Sequence, residues 1–199
     1  MKFFPLEEAF DFGHSLNLKI KGRSIIEPFD AGLLCQMVVT ARHGDHVEIG
    51  SLFGGSAIIA ALAKKKFGMH GKIHCVDPLN TRSYAFPDAQ SEVIASPEII
   101  MENASLWGVE DRIVVHPLSS YPFPLQETFA TGYIDGDHWN NFPQRDWESL
   151  KTHVSYMVMF DDYCHGKPEV VQTCLEASQD PNWIPVFVGG TSFILRRRE

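Results

Sequence analysis

A chain of 199 residues that is 44% hydrophobic and 21% charged has the length and balance of one globular domain, which excludes a disordered or fibrous chain. A net charge of −8 excludes general nucleic-acid binding, because phosphate backbones need a concentrated basic surface. The basic runs Lys64–Lys66 and Arg196–Arg198 each follow apolar residues and read as a helix C-terminus and a solvated strand end.

The chain opens on Met1-Lys2-Phe3-Phe4-Pro5-Leu6-Glu7-Glu8, where acids and a proline arrive too early for a secretory signal, and no later apolar run approaches the ~20 residues that span a bilayer. A soluble, unexported protein without membrane partners is expected. Residues 1–27 form an N-terminal extension, and Met1–Gly22, with several Phe and Leu, suits an interface between copies of the chain. Residues 28 to 43 place Leu33, Leu34, Met37, Val38 and Ala41 at the spacing of an amphipathic helix. His46–Gly50 then reads as a short strand closed by glycine. From Gly55 to Phe67 the run is too long and too alanine-rich for a strand, so it predicts a helix with Gly68 at its C-terminal cap.

Lys72–Asp77 predicts a second strand, ending at an acid and Pro78. A looser stretch follows from Leu79 to Ser96. Ser96-Pro97-Glu98 reads as a helix start, with Ser96 as N-cap and the helix stopping near Trp107-Gly108. Further strands are expected at Arg112–His116, Thr131–Asp135 and Val154–Phe160, with a closing pair, Trp183–Val188 and Ser192–Arg196, around Gly189-Gly190. Helices near 143–151 and 168–178 separate the middle strands. The pattern predicts a doubly wound, mostly parallel seven-stranded α/β sheet, covered on both faces, with an antiparallel C-terminal hairpin. Cys35, Cys75, Cys164 and Cys174 show neither CxxC spacing nor a dense disulfide framework, which points to reduced thiols in a cytoplasmic protein.

In such a sheet ligands bind beyond the carboxyl ends of the strands. The first strand ends in Glu48-Ile49-Gly50-Ser51-Leu52-Phe53-Gly54-Gly55-Ser56, the second in Asp77, the fourth in Asp135-Gly136-Asp137-His138, and the fifth in Asp161-Asp162. The glycine loop lets a ligand approach the backbone while the following helix offers free N–H groups. An acid at Asp77 suits a ribose, accepting from both hydroxyls. The competing structural reading is a tight turn with a solvent-facing Asp77. A dinucleotide fingerprint would need GxGxxG, and serine stands at 51 with no second glycine in register.

The string VEIGSLFGGSA, the acid of VDPL, the segment YIDGDHWNNFPQRD, and FDDY before a helix resemble a class I S-adenosylmethionine-dependent methyltransferase. They are most similar to small-molecule O-methyltransferases of the catechol, caffeoyl-CoA and macrolide-sugar type. The resemblance runs in order over roughly residues 30 to 197. It implies methyl transfer to a hydroxyl of a small-molecule acceptor. It puts Glu48, Gly50, Ser51, Gly54, Gly55 and Ser56 around the methionine part of the cofactor, Asp77 on the ribose, Pro78 near the adenine and Ser119 at the ring. Many relatives carry an acid in that last loop; here it reads Pro117-Leu118-Ser119-Ser120.

The resemblance further implies a divalent ion held by Asp135, Asp161 and Asp162. Three converging carboxylates would repel without a cation, and all-oxygen donors favour Mg²⁺ or Mn²⁺. Asp161 and Asp162 converge only if the strand has ended, since adjacent strand residues face opposite ways; one could instead cap the helix near Pro168, or Asp137 replace it. His138 matches the catalytic histidine of some sugar-methylating relatives and is the candidate base, with a solvent-facing loop residue as the alternative; His165 is a second candidate. Arg82, Tyr84 and Phe86 could close over an acceptor or simply pack a long loop. The rival functions are a nicotinamide-dependent oxidoreductase and a non-catalytic adenosyl-binding protein.

Overall fold

The computed structural model describes residues 20–22, 26–79 and 93–199, with positions 7, 11 and 15. Most of Met1–Gly22 and most of the Leu79–Ser96 loop, including Arg82, Tyr84 and Phe86, lie outside the described residues. Among the described residues no helix is long and apolar enough to cross a membrane.

Seven strands form one sheet: β1 (His46–Ile49), β2 (Ile73–Val76), β3 (Ile113–His116), β4 (Phe129–Ile134), β5 (Val154–Phe160), β6 (Trp183–Gly189) and β7 (Ser192–Arg197). Their order is β3-β2-β1-β4-β5-β7-β6. Neighbours from β3 through β5 are parallel, and β7 runs antiparallel to both β5 and β6. The chain moves outward from β1 to β3 and then returns to β4, so the strand order reverses between β1 and β4. That reversal opens a crevice at the carboxyl ends. The hairpin between β6 and β7 turns at Gly190, whose φ of +60° is costly for residues with a Cβ.

Helices cover both faces. α1 (Pro28–Thr40), α2 (Gly55–Lys66) and α3 (Pro97–Leu106) pack with Ile73, Cys75, Tyr133, Met159 and Ile194 in one core cluster. α4 (Phe142–Leu150) and α5 (Pro168–Ala177) supply Trp147, Leu150, Val170, Cys174 and Ala177 to a second, against Val47, Ile49, Val76, Ile134 and Val158. Because both faces are covered, β1 and β2 are buried at every position, as central parallel strands require.

The predicted elements appear with small shifts in their ends. Ser96 caps α3, its hydroxyl accepting from the Ile99 N–H at 3.3 Å, and Gly108 follows with φ +62°. Arg112 belongs to a short 3₁₀ turn before β3 rather than to the strand, and β4 begins at Phe129, ahead of an irregularity in its pairing with β5. α1 departs more: its spacing predicts one apolar face, yet Asp30–Cys35 and Met37–Val39 are all buried. The polar side is covered too, because Asp30 accepts hydrogen bonds from Thr191 and Ser192 of the hairpin and Phe29 lies against Phe187, ring centres 6.2 Å apart.

Candidate active site

Gly50 leaves β1 with φ +90°. A Cβ there would stand 2.0 Å from the Asp135 carbonyl oxygen, so glycine is required where the chain leaving β1 passes the chain leaving β4. The loop then turns through Leu52 (φ +47°) and Gly54 (φ +82°) into α2. Asp77 holds this turn: its Oδ2 accepts from the Leu52 N–H at 2.9 Å and its Oδ1 from the Leu79 N–H at 2.8 Å. It is buried, 9% exposed, rather than facing solvent.

Beyond these strand ends lies a cavity of about 380 Å³. Gly50, Ser51, Gly55, Ser56, Asp77, Pro78 and Ser119 line it, as do Asp135 and His138. Glu48, Gly54, Asp161 and Asp162 are not among its lining residues. Gly54 instead packs against Ile100, where a Cβ would approach to 3.0 Å. The lining also includes Ile26, Ser120, Gly136, Phe142 and Asp146, which the sequence reading does not single out. A signal for Asp146 exists, because it shares the buried face of α4 with Pro143, Trp147 and Leu150, where an acid is out of place.

Glu48 is fully buried, and neither carboxyl oxygen has a hydrogen-bond partner among the described residues. Burial pushes its carboxyl up to about 7; the nearby Ser51 and Ser56 hydroxyls and the Cys75 thiol offset part of this, and the Asp77 charge raises it further. The folded protein therefore binds a proton that the unfolded chain, near 4.5, releases, so the contribution of Glu48 to stability falls as pH rises from about 4.5 to about 7. Glu48→Gln should remove that slope and stabilise the ligand-free protein at pH 8 by on the order of 3 kcal/mol. Urea unfolding of both proteins at pH 5 and pH 8 checks this; identical pH dependence would rule it out.

The acids and His138 lie together. His138 Nε2 is 3.3 Å from Asp135 Oδ1, and its Nδ1 is 3.4 Å from Asp162 Oδ2. Lys167 Nζ is 3.9 Å from the same Asp162 oxygen. Burial lowers the His138 pKa, and the Asp162 charge opposes this. The Asp135 carboxyl is raised well above its ordinary value by burial and then by Asp161 and Asp162. β5 ends at Phe160 and Asp162 takes φ +56°, so the chain has left the strand where the second acid stands. Asp161 is engaged on both oxygens, accepting from the Tyr133 hydroxyl at 2.9 Å and contacting the Thr191 hydroxyl at 3.1 Å. Asp137 Oδ1 accepts from the Trp139 N–H at 3.0 Å. No side chain caps α5, and His165 is exposed. Among the described residues no three His, Cys, Asp or Glu side chains form a group that could hold a metal ion as they stand.

No protein-family model and no curated protein matches the chain. Solved structures match over almost its whole length. The O-methyltransferase NovP superposes with a TM-score of 0.73 at 15% identity, covering 98% of this chain and 98% of that one. An O-methyltransferase from Bacillus cereus in complex with SAH gives 0.59 at 18% identity, covering 100% and 92%. TomG from Streptomyces achromogenes, an O-methyltransferase involved in tomaymycin synthesis and solved with SAM, gives 0.58 at 15% identity, covering 99% and 90%. The chain has the class I methyltransferase fold that these proteins share.

Proposed function

We propose that the protein binds S-adenosylmethionine in this cavity and transfers its methyl group to a hydroxyl oxygen of a small molecule. The observation that carries the reading is that the ends of three parallel strands, β1, β2 and β4, deliver a glycine turn, a buried acid and the Asp135–His138 pair to one crevice. The donor set suits the cofactor. Asp77 is buried and preset by two backbone N–H groups, and among the described residues neither the buried Glu48 carboxyl nor the Ser51 hydroxyl makes a hydrogen bond. A cationic ligand would stabilise the ionised form of Glu48 through space. When bound, the sulfonium supplies an activated methyl group.

The chain's own residues then orient and deprotonate the acceptor. The pKa of His138 is lowered by burial, so its imidazole is neutral at physiological pH and has a lone pair for the acceptor's proton. Asp162, 3.4 Å from the ring Nδ1, favours the imidazolium that results. The divalent ion is a narrower part of the proposal. Asp135, Asp161 and Asp162 offer the all-oxygen chemistry that Mg²⁺ or Mn²⁺ takes, with Asp161 giving up its hydroxyl partners, and such an ion supplies Lewis acidity that lowers the pKa of an acceptor hydroxyl. The thiols, with Cys35, Cys75 and Cys174 buried and none of the four paired, suit a reducing, cytoplasmic setting.

The reading is tested with methyl-labelled S-adenosylmethionine and a panel of phenols, sugars and CoA-linked catechols. Label should appear on an acceptor oxygen, vanish with EDTA and return with Mg²⁺ or Mn²⁺. Label transferred in ion-free protein would remove the ion and leave methyl transfer standing. Label appearing only on nitrogen or carbon would contradict the hydroxyl acceptor.

A further inference from the structure

Asp146 has no part in the chemistry above, yet it stands in the cavity wall. It is 1% exposed and lines the cavity from α4. Its Oδ1 accepts from the Ser120 hydroxyl at 2.6 Å. Its Oδ2 packs against Gly136, where an added Cβ would lie 2.9 Å away; no hydrogen bond to that oxygen is found among the described residues. Ser120 follows β3 and Gly136 follows β4, so this one carboxyl joins two walls of the crevice. A buried carboxyl with one donor keeps acceptor capacity that a ligand N–H can satisfy.

The order of the strands says which part of a ligand comes to it. The glycine turn follows β1, Asp77 follows β2, and Ser119-Ser120 follow β3, and these strands are successive neighbours in the sheet. A ligand whose ribose sits at Asp77 and whose amino-acid part sits at the glycine turn directs its base toward Ser119, Ser120 and Asp146. The loop Pro117-Leu118-Ser119-Ser120 carries no acid of its own, and α4 brings one to it.

We propose that Asp146 accepts a hydrogen bond from the exocyclic amine of a purine, so that the cavity selects a 6-amino over a 6-oxo ring. A 6-oxo purine sets a carbonyl oxygen against the carboxyl oxygen, acceptor facing acceptor, and a site built for a donor rejects a ligand that lacks it. The assignment rests on the adenosyl reading above.

Calorimetric titration of the full chain with S-adenosylhomocysteine and with S-inosylhomocysteine tests it, since the two thioethers differ only in the purine ring. The inosyl compound should bind roughly 10- to 100-fold more weakly. In Asp146→Asn, whose carboxamide can offer either a donor or an acceptor and keeps the size of the side chain, the preference should collapse to within about threefold. Equal binding of both compounds by the wild-type protein overturns the assignment without needing the variant. So does an Asn variant that keeps the preference, or one that weakens both compounds alike and so places Asp146 against another part of the ligand. Failure of S-adenosylhomocysteine to bind the wild-type protein removes the adenosyl reading itself, and this assignment with it.

Discussion

His138→Ala should lower turnover by ~10²–10⁴-fold while leaving S-adenosylhomocysteine affinity nearly unchanged, the size of effect expected of a positioned general base. The expectation comes from geometry: the imidazole lines the cavity and sits between Asp135 and Asp162, at 3.3 and 3.4 Å. Burial lowers its pKa, so the neutral base persists to pH values below the ordinary imidazole range and is lost by protonation only as the pH falls through that lowered value. The rate profile of the wild-type protein should therefore have an acid limb that the variant lacks. Normal turnover in the variant would assign proton removal to another group. Loss of cofactor affinity together with activity would make His138 a residue that holds the site together rather than a base.

Gly50→Ala should destabilise the fold by roughly 3 kcal/mol or more, because its cause is a backbone collision rather than a lost contact. The new Cβ meets the Asp135 carbonyl oxygen at 2.0 Å, the Asp135 carbonyl carbon at 2.5 Å and the Gly136 nitrogen at 2.7 Å, and none of these can move without shifting the end of β4. The positive φ adds its own strain. In a chain of this length that corresponds to a fall in Tm of roughly 10 °C. Gly68→Ala is the control. It shares a positive φ, yet a Cβ there would meet nothing within 4 Å, so it should cost only ~1 kcal/mol. Equal melting temperatures for the two variants would show that conformational strain, not the approach of β1 to β4, is what Gly50 relieves.

Most of this architecture is legible in the sequence because its elements announce themselves locally. Ser96-Pro97 starts a helix, Gly108 stops one, and Gly190, with Thr191, turns a hairpin one residue later than the Gly189-Gly190 pair suggests, each by its own backbone chemistry. α1 is the exception among the elements. Its periodicity is that of a half-exposed helix, but what buries its polar side is Thr191 and Ser192, more than a hundred residues away, and no local pattern carries that information.

The site divides in the same way. Asp77, Asp135 and His138 are legible because they stand at strand ends, and strand ends are read directly from the sequence. Asp161 follows a strand end equally well, but its side chain turns to Tyr133 and Thr191, which only the packed structure reveals. Asp146 reaches the cavity from within a helix, through a partner on a loop beyond another strand, so neither its position nor its spacing marks it as a ligand contact. The one hint is an acid on the apolar side of α4, and that hint says the residue is unusual without saying what it touches.

The central claim is that the crevice takes an adenosyl thioether rather than a dinucleotide, and calorimetry on the wild-type chain with S-adenosylhomocysteine and NAD tests it most directly. S-adenosylhomocysteine should bind and NAD should not. Asp77→Ala, which removes the proposed ribose acceptor and the latch on the Leu52 N–H together, should weaken that binding by ~1.5–3 kcal/mol. Binding of NAD without any affinity for S-adenosylhomocysteine would contradict the account.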